Sequence, residues 1–131
     1  MRRLILGLTF AAASSMALAN GADGLWKTEV GDDGGYLEVT ISSCDADATK
    51  TCGKISKAFS KDGEDPKYAN LGKLMIKDMK SDDGESYAGG TIWDPEKDKT
   101  YKSKMSLNGD TMDVKGCISI ICTGQQWTRV K

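Results

Sequence analysis

The sequence predicts an all-β fold of about eight short antiparallel strands, on three observations. Apolar and polar residues alternate with period two over short runs. Turn residues separate those runs at spacings suited to a meander. Helical periodicity is nearly absent.

The first run spans Gly24 to Val30. The clearest is Tyr36 to Ser43, where Leu37, Val39 and Ile41 share one face and Glu38, Thr40 and Ser42 the other. Gly53 to Phe59, Lys73 to Met79, Tyr87 to Trp93, Thr100 to Leu107, Thr111 to Ser119 and Gly124 to Val130 complete the set. Asp32-Asp33-Gly34-Gly35, Asp82-Asp83-Gly84, Asp94-Pro95-Glu96-Lys97 and Asn108-Gly109-Asp110 supply positive φ or a preset proline φ between strands. The two Asp-Asp-Gly stretches lack the spaced oxygens of an EF-hand and are read as ordinary turns. Ser60 to Leu71 is a long polar connection, compatible with a lid, a binding loop, a plain surface excursion or a short helical turn. Strands with one apolar face each must bury those faces together, as a closed barrel or as two packed sheets.

Composition narrows the chemistry. The 131 residues carry 18 Lys+Arg against 19 Asp+Glu, with a pI near 5.4, so there is no basic footprint for nucleic acid. The chain has no histidine, which excludes Ser/His/Asp and Cys/His catalysis and histidine-bound zinc. No cofactor or metal is implied. Residues 1–19 read as a secretory signal peptide: Arg2 and Arg3, an apolar run from Leu4 to Ala13, then Ala17-Leu18-Ala19 as a small-residue cleavage site. The apolar run is too short to span a bilayer, so no integral membrane span is expected after cleavage. Removing residues 1–19 leaves 112 residues at 20–131, a single domain expected in the periplasm or outside the cell.

In that compartment four cysteines imply two disulfides. Three connectivities exist, and spacing favours local closure of Cys44 with Cys52 and of Cys117 with Cys122. Neither pair is a C-x-x-C motif, so structural staples are preferred to a zinc or redox site.

Gly24-Leu25-Trp26 early in the chain and Trp127-Thr128-Arg129 at its end resemble the lipocalin and wider calycin arrangement. That resemblance implies that Gly24, Trp26, Trp127 and Arg129 close one barrel end, the late arginine packing on the early tryptophan; a guanidinium over an indole face is physically sensible. A fuller series resembles an uncharacterised bacterial exported family, known only as a domain of unknown function, with a lipocalin-like barrel. It comprises Gly24-Leu25-Trp26, Gly53-Lys54-Ile55, Gly72 with Leu74 to Met79, and Gly89-Gly90-Thr91-Ile92-Trp93-Asp94-Pro95. Thr100-Tyr101, Val114-Lys115-Gly116-Cys117 and Gln126-Trp127-Thr128-Arg129 follow in order. Trp93 stands where a tyrosine is more usual in that family. The resemblance implies a single antiparallel up-and-down barrel of about eight strands, lipocalin-like.

A barrel of that size is either filled by side chains or holds one small ligand. The candidate ligand-lining set is Leu37, Val39, Ile41, Ile55, Phe59, Met75, Ile92, Met105, Leu107 and Val114, with Met75, Met79, Met105 and Met112 as an adaptable lining. The bland alternative is that these residues simply form the core. Tyr36, Tyr87 and Tyr101 belong to rim or core, which periodicity alone does not decide. The leading expectation is a binder of a small apolar or amphipathic molecule in the cell envelope. The alternative is an envelope protein-interaction module or enzyme inhibitor, with an exposed patch over a filled barrel. A carboxylate enzyme ranks last, because nearly all acids lie in turns; the chain is expected not to be an enzyme.

Overall fold

The computed structural model describes residues 21–131; the expected signal peptide at residues 1–19 lies outside the described residues. Nine strands follow in order: β1 Gly24–Lys27, β2 Tyr36–Ser43, β3 Thr51–Ser60, β4 Gly63–Glu64, β5 Leu74–Met79, β6 Ser86–Asp94, β7 Lys99–Asn108, β8 Thr111–Ile118 and β9 Ile121–Arg129. The described residues contain no helix, and none long and apolar enough to cross a membrane.

All pairings are antiparallel. The hydrogen-bonded order is β2-β1-β9-β8-β7-β6-β5-β3-β4, and β2 also pairs β3, so eight strands close into a barrel with β4 as a short extra flap on β3. Closure leaves no long unpaired edge in the ring. Of the two packings open to strands with one apolar face, the barrel is the one adopted.

Strand periodicity sorts the side chains as the sequence predicts. Along β7, Tyr101, Ser103, Met105 and Leu107 are partly or fully buried while Lys102, Lys104 and Ser106 are exposed. The strand ends differ from expectation for local reasons. β1 stops at Lys27 because the Thr28 hydroxyl, not a backbone carbonyl, accepts the Leu37 amide (3.0 Å), and Gly31 and Gly35 then close a turn (2.8 Å). β9 begins at Ile121 because Ser119-Ile120 form a two-residue turn and Ile118 pairs Ile121. Connection 61–73 holds the β4 flap and successive turns, Tyr68 to Asp65 and Leu71 to Tyr68, in place of a helical turn.

Two covalent staples pin neighbouring strands: Cys44–Cys52 joins β2 to β3 at one end, and Cys117–Cys122 clamps the β8–β9 hairpin at the other. Loops this short contribute roughly 2–3 kcal/mol each in the chain-entropy account. Trp26, Val39, Ile41, Ile55, Ile76, Met79, Met112, Val114 and Trp127 form the fully buried centre.

The end of the barrel where β1 begins is sealed. Residues 21–23 cross it: the Trp26 indole donates to the Ala22 carbonyl (2.8 Å), and the Ala22 amide donates to the Tyr87 hydroxyl (3.1 Å). Arg129 covers Trp26 with its guanidinium carbon 4.4 Å from the ring centroid, donating to the carbonyls of Asp23 (3.0 Å) and Gly21 (2.9 Å) and pairing with Asp110 (3.3 Å). Gly24 sits at φ 140°, and a side-chain carbon there would fall 2.8 Å from the Lys131 carbonyl oxygen and 2.9 Å from Arg129 Nη1. Only glycine fits. Tyr87 is therefore a core residue of this end, its phenol pushed up from the ordinary value mainly by burial.

Candidate ligand cavity

Interior positions change character along the barrel axis. Towards the sealed end they carry Trp26, Ile41, Met79, Met105, Met112 and Trp127, all buried. Towards the other end Ala58, Gly116 and Thr123 replace large side chains, and the volume they leave is not filled. The result is a cavity of about 910 Å³, open between connections 28–35, 61–73 and 95–98 and the β8–β9 tip. That size is at the upper end of small-molecule sites, roughly 300–1,000 Å³.

Leu37, Ala58, Met75, Ile92 and Val114 give the cavity an apolar inner surface. Aromatic rings line it as well. Tyr36 and Phe59 pair across β2 and β3 and stack at 4.6 Å between centroids, 12° from parallel. Tyr101 faces inward from β7, Tyr68 reaches in from the long connection, and the Trp93 indole is held by a 2.9 Å bond to Asp98. Asp98 itself adopts φ 51° in the β6–β7 turn, a conformation asparagine and aspartate tolerate better than most. Gln125 links the cavity to the sealed half, its Oε1 accepting from the Trp127 indole (2.7 Å).

Of the ten residues expected to line a ligand site, Leu37, Phe59, Met75, Ile92 and Val114 do border the cavity. Val39, Ile41, Ile55 and Met105 are buried in the core and Leu107 packs against it; Met79 and Met112 lie there too. Apart from Phe59, which follows the inward Ala58 and stands half-buried at the rim beside Tyr36, these residues point inward, and height along the axis separates the two groups. Tyr36, Tyr68, Trp93, Tyr101, Thr123 and Gln125 are lining residues absent from the expected set. Tyr101 carried a signal, since it shares the inward face of Met105 four residues on. Tyr68 carried none, because its place depends on the path of an irregular connection. That connection, including Ser60, Lys61, Asp62 and Asp65, forms part of the mouth.

The lip beside it is apolar. Ile118 and Ile121 line the opening and are 67% and 69% exposed, and Ile120 between them is 92% exposed. The Cys117–Cys122 bond holds this tip immediately below the three isoleucines. As to metals, Cys44, Cys52 and Asp78 are grouped closely enough for an ion, but both sulfurs are consumed in the disulfide, leaving one carboxylate. Such a set does not make a metal centre.

A closed up-and-down barrel with one plugged end and one open end defines a lipocalin-like protein. In overall structure the chain is similar to HP1028 from the human pathogen Helicobacter pylori, described as belonging to the lipocalin family, with a TM-score of 0.67 and 16% identity over 86% of this chain and 85% of that one. The chain belongs to the family described as an uncharacterised protein conserved in bacteria, DUF2147, whose profile matches residues 24–129. No curated protein is significantly similar to it in sequence. Two disulfides point to an oxidising, extracytoplasmic location.

Proposed function

We propose that this protein is a periplasmic or secreted binder of a small apolar or amphipathic molecule, exported by residues 1–19 and folded as one barrel domain over 20–131. The observation that carries this reading is the unfilled half of the barrel, a cavity of about 910 Å³ open to solvent, with apolar and aromatic side chains inside and polar groups at its mouth. Interiors are normally close-packed, so an open volume of that size within a disulfide-stapled barrel suits a guest. The acids do not favour catalysis. Asp33, Asp94 and Asp98 each accept a bond from a nearby turn amide or indole, as structural side chains do. Native mass spectrometry of protein purified from its own host tests the reading. The expected spectrum carries a retained small-molecule mass; a clean apo spectrum, with no uptake of an apolar fluorophore afterwards, overturns it.

The exposed Ile118, Ile120 and Ile121 favour a second reading, docking on an envelope protein through the β8–β9 tip. Ile120→Ser then abolishes capture of one stoichiometric partner from envelope extract while leaving ligand retention intact. No partner with the unaltered chain removes this reading.

A further inference from the structure

The mouth of the cavity carries information about the guest's head group. We propose that the preferred ligand is a cationic amphiphile, with an apolar body and an organic ammonium or amine head; this rests on the binding reading above.

Two features of the cavity converge on it. The first is the set of rings. The faces of Tyr36, Phe59, Tyr68, Trp93 and Tyr101 carry negative quadrupole potential, which attracts ammonium groups and disfavours anions. The protein's own ammonium groups already use two of them: Lys27 Nζ lies 4.3 Å from the Tyr36 centroid and Lys73 Nζ 5.8 Å from that of Trp93. The rings at the mouth thus attract ammonium groups, and Phe59, Tyr68 and Tyr101 carry no such lysine contact among the described residues, which leaves them to a guest.

The second is the charge around the opening. Glu29, Asp33, Asp62, Asp65, Asp94 and Glu96 line the cavity, against Lys61 and Lys97. Counting Lys27 and Lys73 lowers the acidic excess without reversing it. Asp33, Asp65 and Asp94 each engage one carboxylate oxygen with a turn amide, which holds the group in place and leaves the other oxygen free. Field lines from such a rim are focused by the low-dielectric walls beneath it. An anionic amphiphile with its body in the cavity must leave its charge among these carboxylates. A cationic one leaves its charge between carboxylates and rings, while its body reaches Leu37, Met75 and Val114.

The test compares three probes with the same chain, each kept below its micelle-forming concentration: decyltrimethylammonium, decanol and decanoate. Titration calorimetry at low salt is expected to rank the cation tightest, about tenfold over decanoate, with the gap narrowing as salt is added. Asp62→Asn with Glu96→Gln, whose carboxylates cap no turn among the described residues, is expected to reduce the cation-to-anion affinity ratio several-fold. Decanoate binding as tightly as the cation, or a ratio unmoved by the double variant, overturns the charge assignment while decanol binding keeps the binding reading. No binding by any probe overturns both.

Discussion

The two halves of this barrel are built from the same strands and share one hydrogen-bonded wall, yet one is solid and the other hollow. In the sealed half Trp26, Trp127, Met79 and Met112 meet around the axis, and Arg129 lies across Trp26 to close the end. In the open half the same strands present Ala58, Gly116 and Thr123, and the larger side chains that remain, Leu37, Met75, Ile92 and Val114 with several rings, border the volume instead of filling it. The comparison teaches that a small barrel divides its interior: one layer supplies cohesion, which frees the other to stay open. It also explains why the aromatics among the described residues fall into two populations. Trp26, Tyr87 and Trp127 are buried in the sealed half, whereas Tyr36, Phe59, Tyr68, Trp93 and Tyr101 border the cavity.

Substitutions that treat the halves alike should therefore give unlike results. Trp26→Ala removes the centre of the solid half and its cation–π partner, and is expected to lower unfolding free energy by about 3–5 kcal/mol in urea titrations. Tyr101→Ala in the hollow half is expected to cost well under half as much. Equal losses would erase the distinction. Removing a staple is next in size: Cys44→Ala with Cys52→Ala, and separately Cys117→Ala with Cys122→Ala, should each cost roughly 2–3 kcal/mol. Only the second pair, at the lip, is expected to alter ligand uptake as well. Overpacking sharpens the contrast further. Thr123→Trp, placed into the open volume, should leave thermal stability nearly unchanged while reducing uptake of a bound fluorophore at least tenfold, whereas Ile41→Trp in the solid half should destabilise by about 1–3 kcal/mol or more.

The smallest effect concerns Asp23, beside the sealed end, whose carboxyl is raised above its usual value by burial. A raised acid favours the folded state only while it holds its proton, and that contribution is lost as pH rises through the folded-state pKa. Asp23→Asn is accordingly expected to shift the urea midpoint slightly upward at neutral pH. The gain should vanish below about pH 3, under the ordinary aspartate value, where the carboxyl is mostly neutral in both states. A gain that persists at low pH would point to a cause other than charge.

Much of this architecture was legible in the residues. Period-two alternation located the main strands, and turn chemistry such as Asn108-Gly109-Asp110 located the hairpins. The observed bonds pair Cys44 with Cys52 and Cys117 with Cys122, as their short spacings favoured. The cavity was legible only in part. Leu37 and Val39 look alike in sequence, both apolar and both on the inward face, yet Leu37 borders the opening and Val39 is buried. The sequence ends one strand at Ser119 and starts the next at Gly124, but β8 stops at Ile118 and β9 starts at Ile121, so a two-residue turn with Ser119 at φ 58° leaves Ile118, Ile120 and Ile121 exposed. The cysteine pair on either side permits so tight a reversal.

By itself the sequence determined which side of each strand faces inward, because alternation is a local consequence of backbone geometry that any neighbouring strand must respect. It also determined that a glycine and a tryptophan near one end and an arginine near the other were available to seal a barrel. What only the tertiary structure decided was depth: which inward residues stand at the sealed level and which at the open one. Depth depends on how far each strand is shifted against the next around the ring, including the irregular register of β3 against β5 and of β6 against β7. Those shifts accumulate over pairings far apart in the chain. The hollow that defines this protein is set by that accumulation.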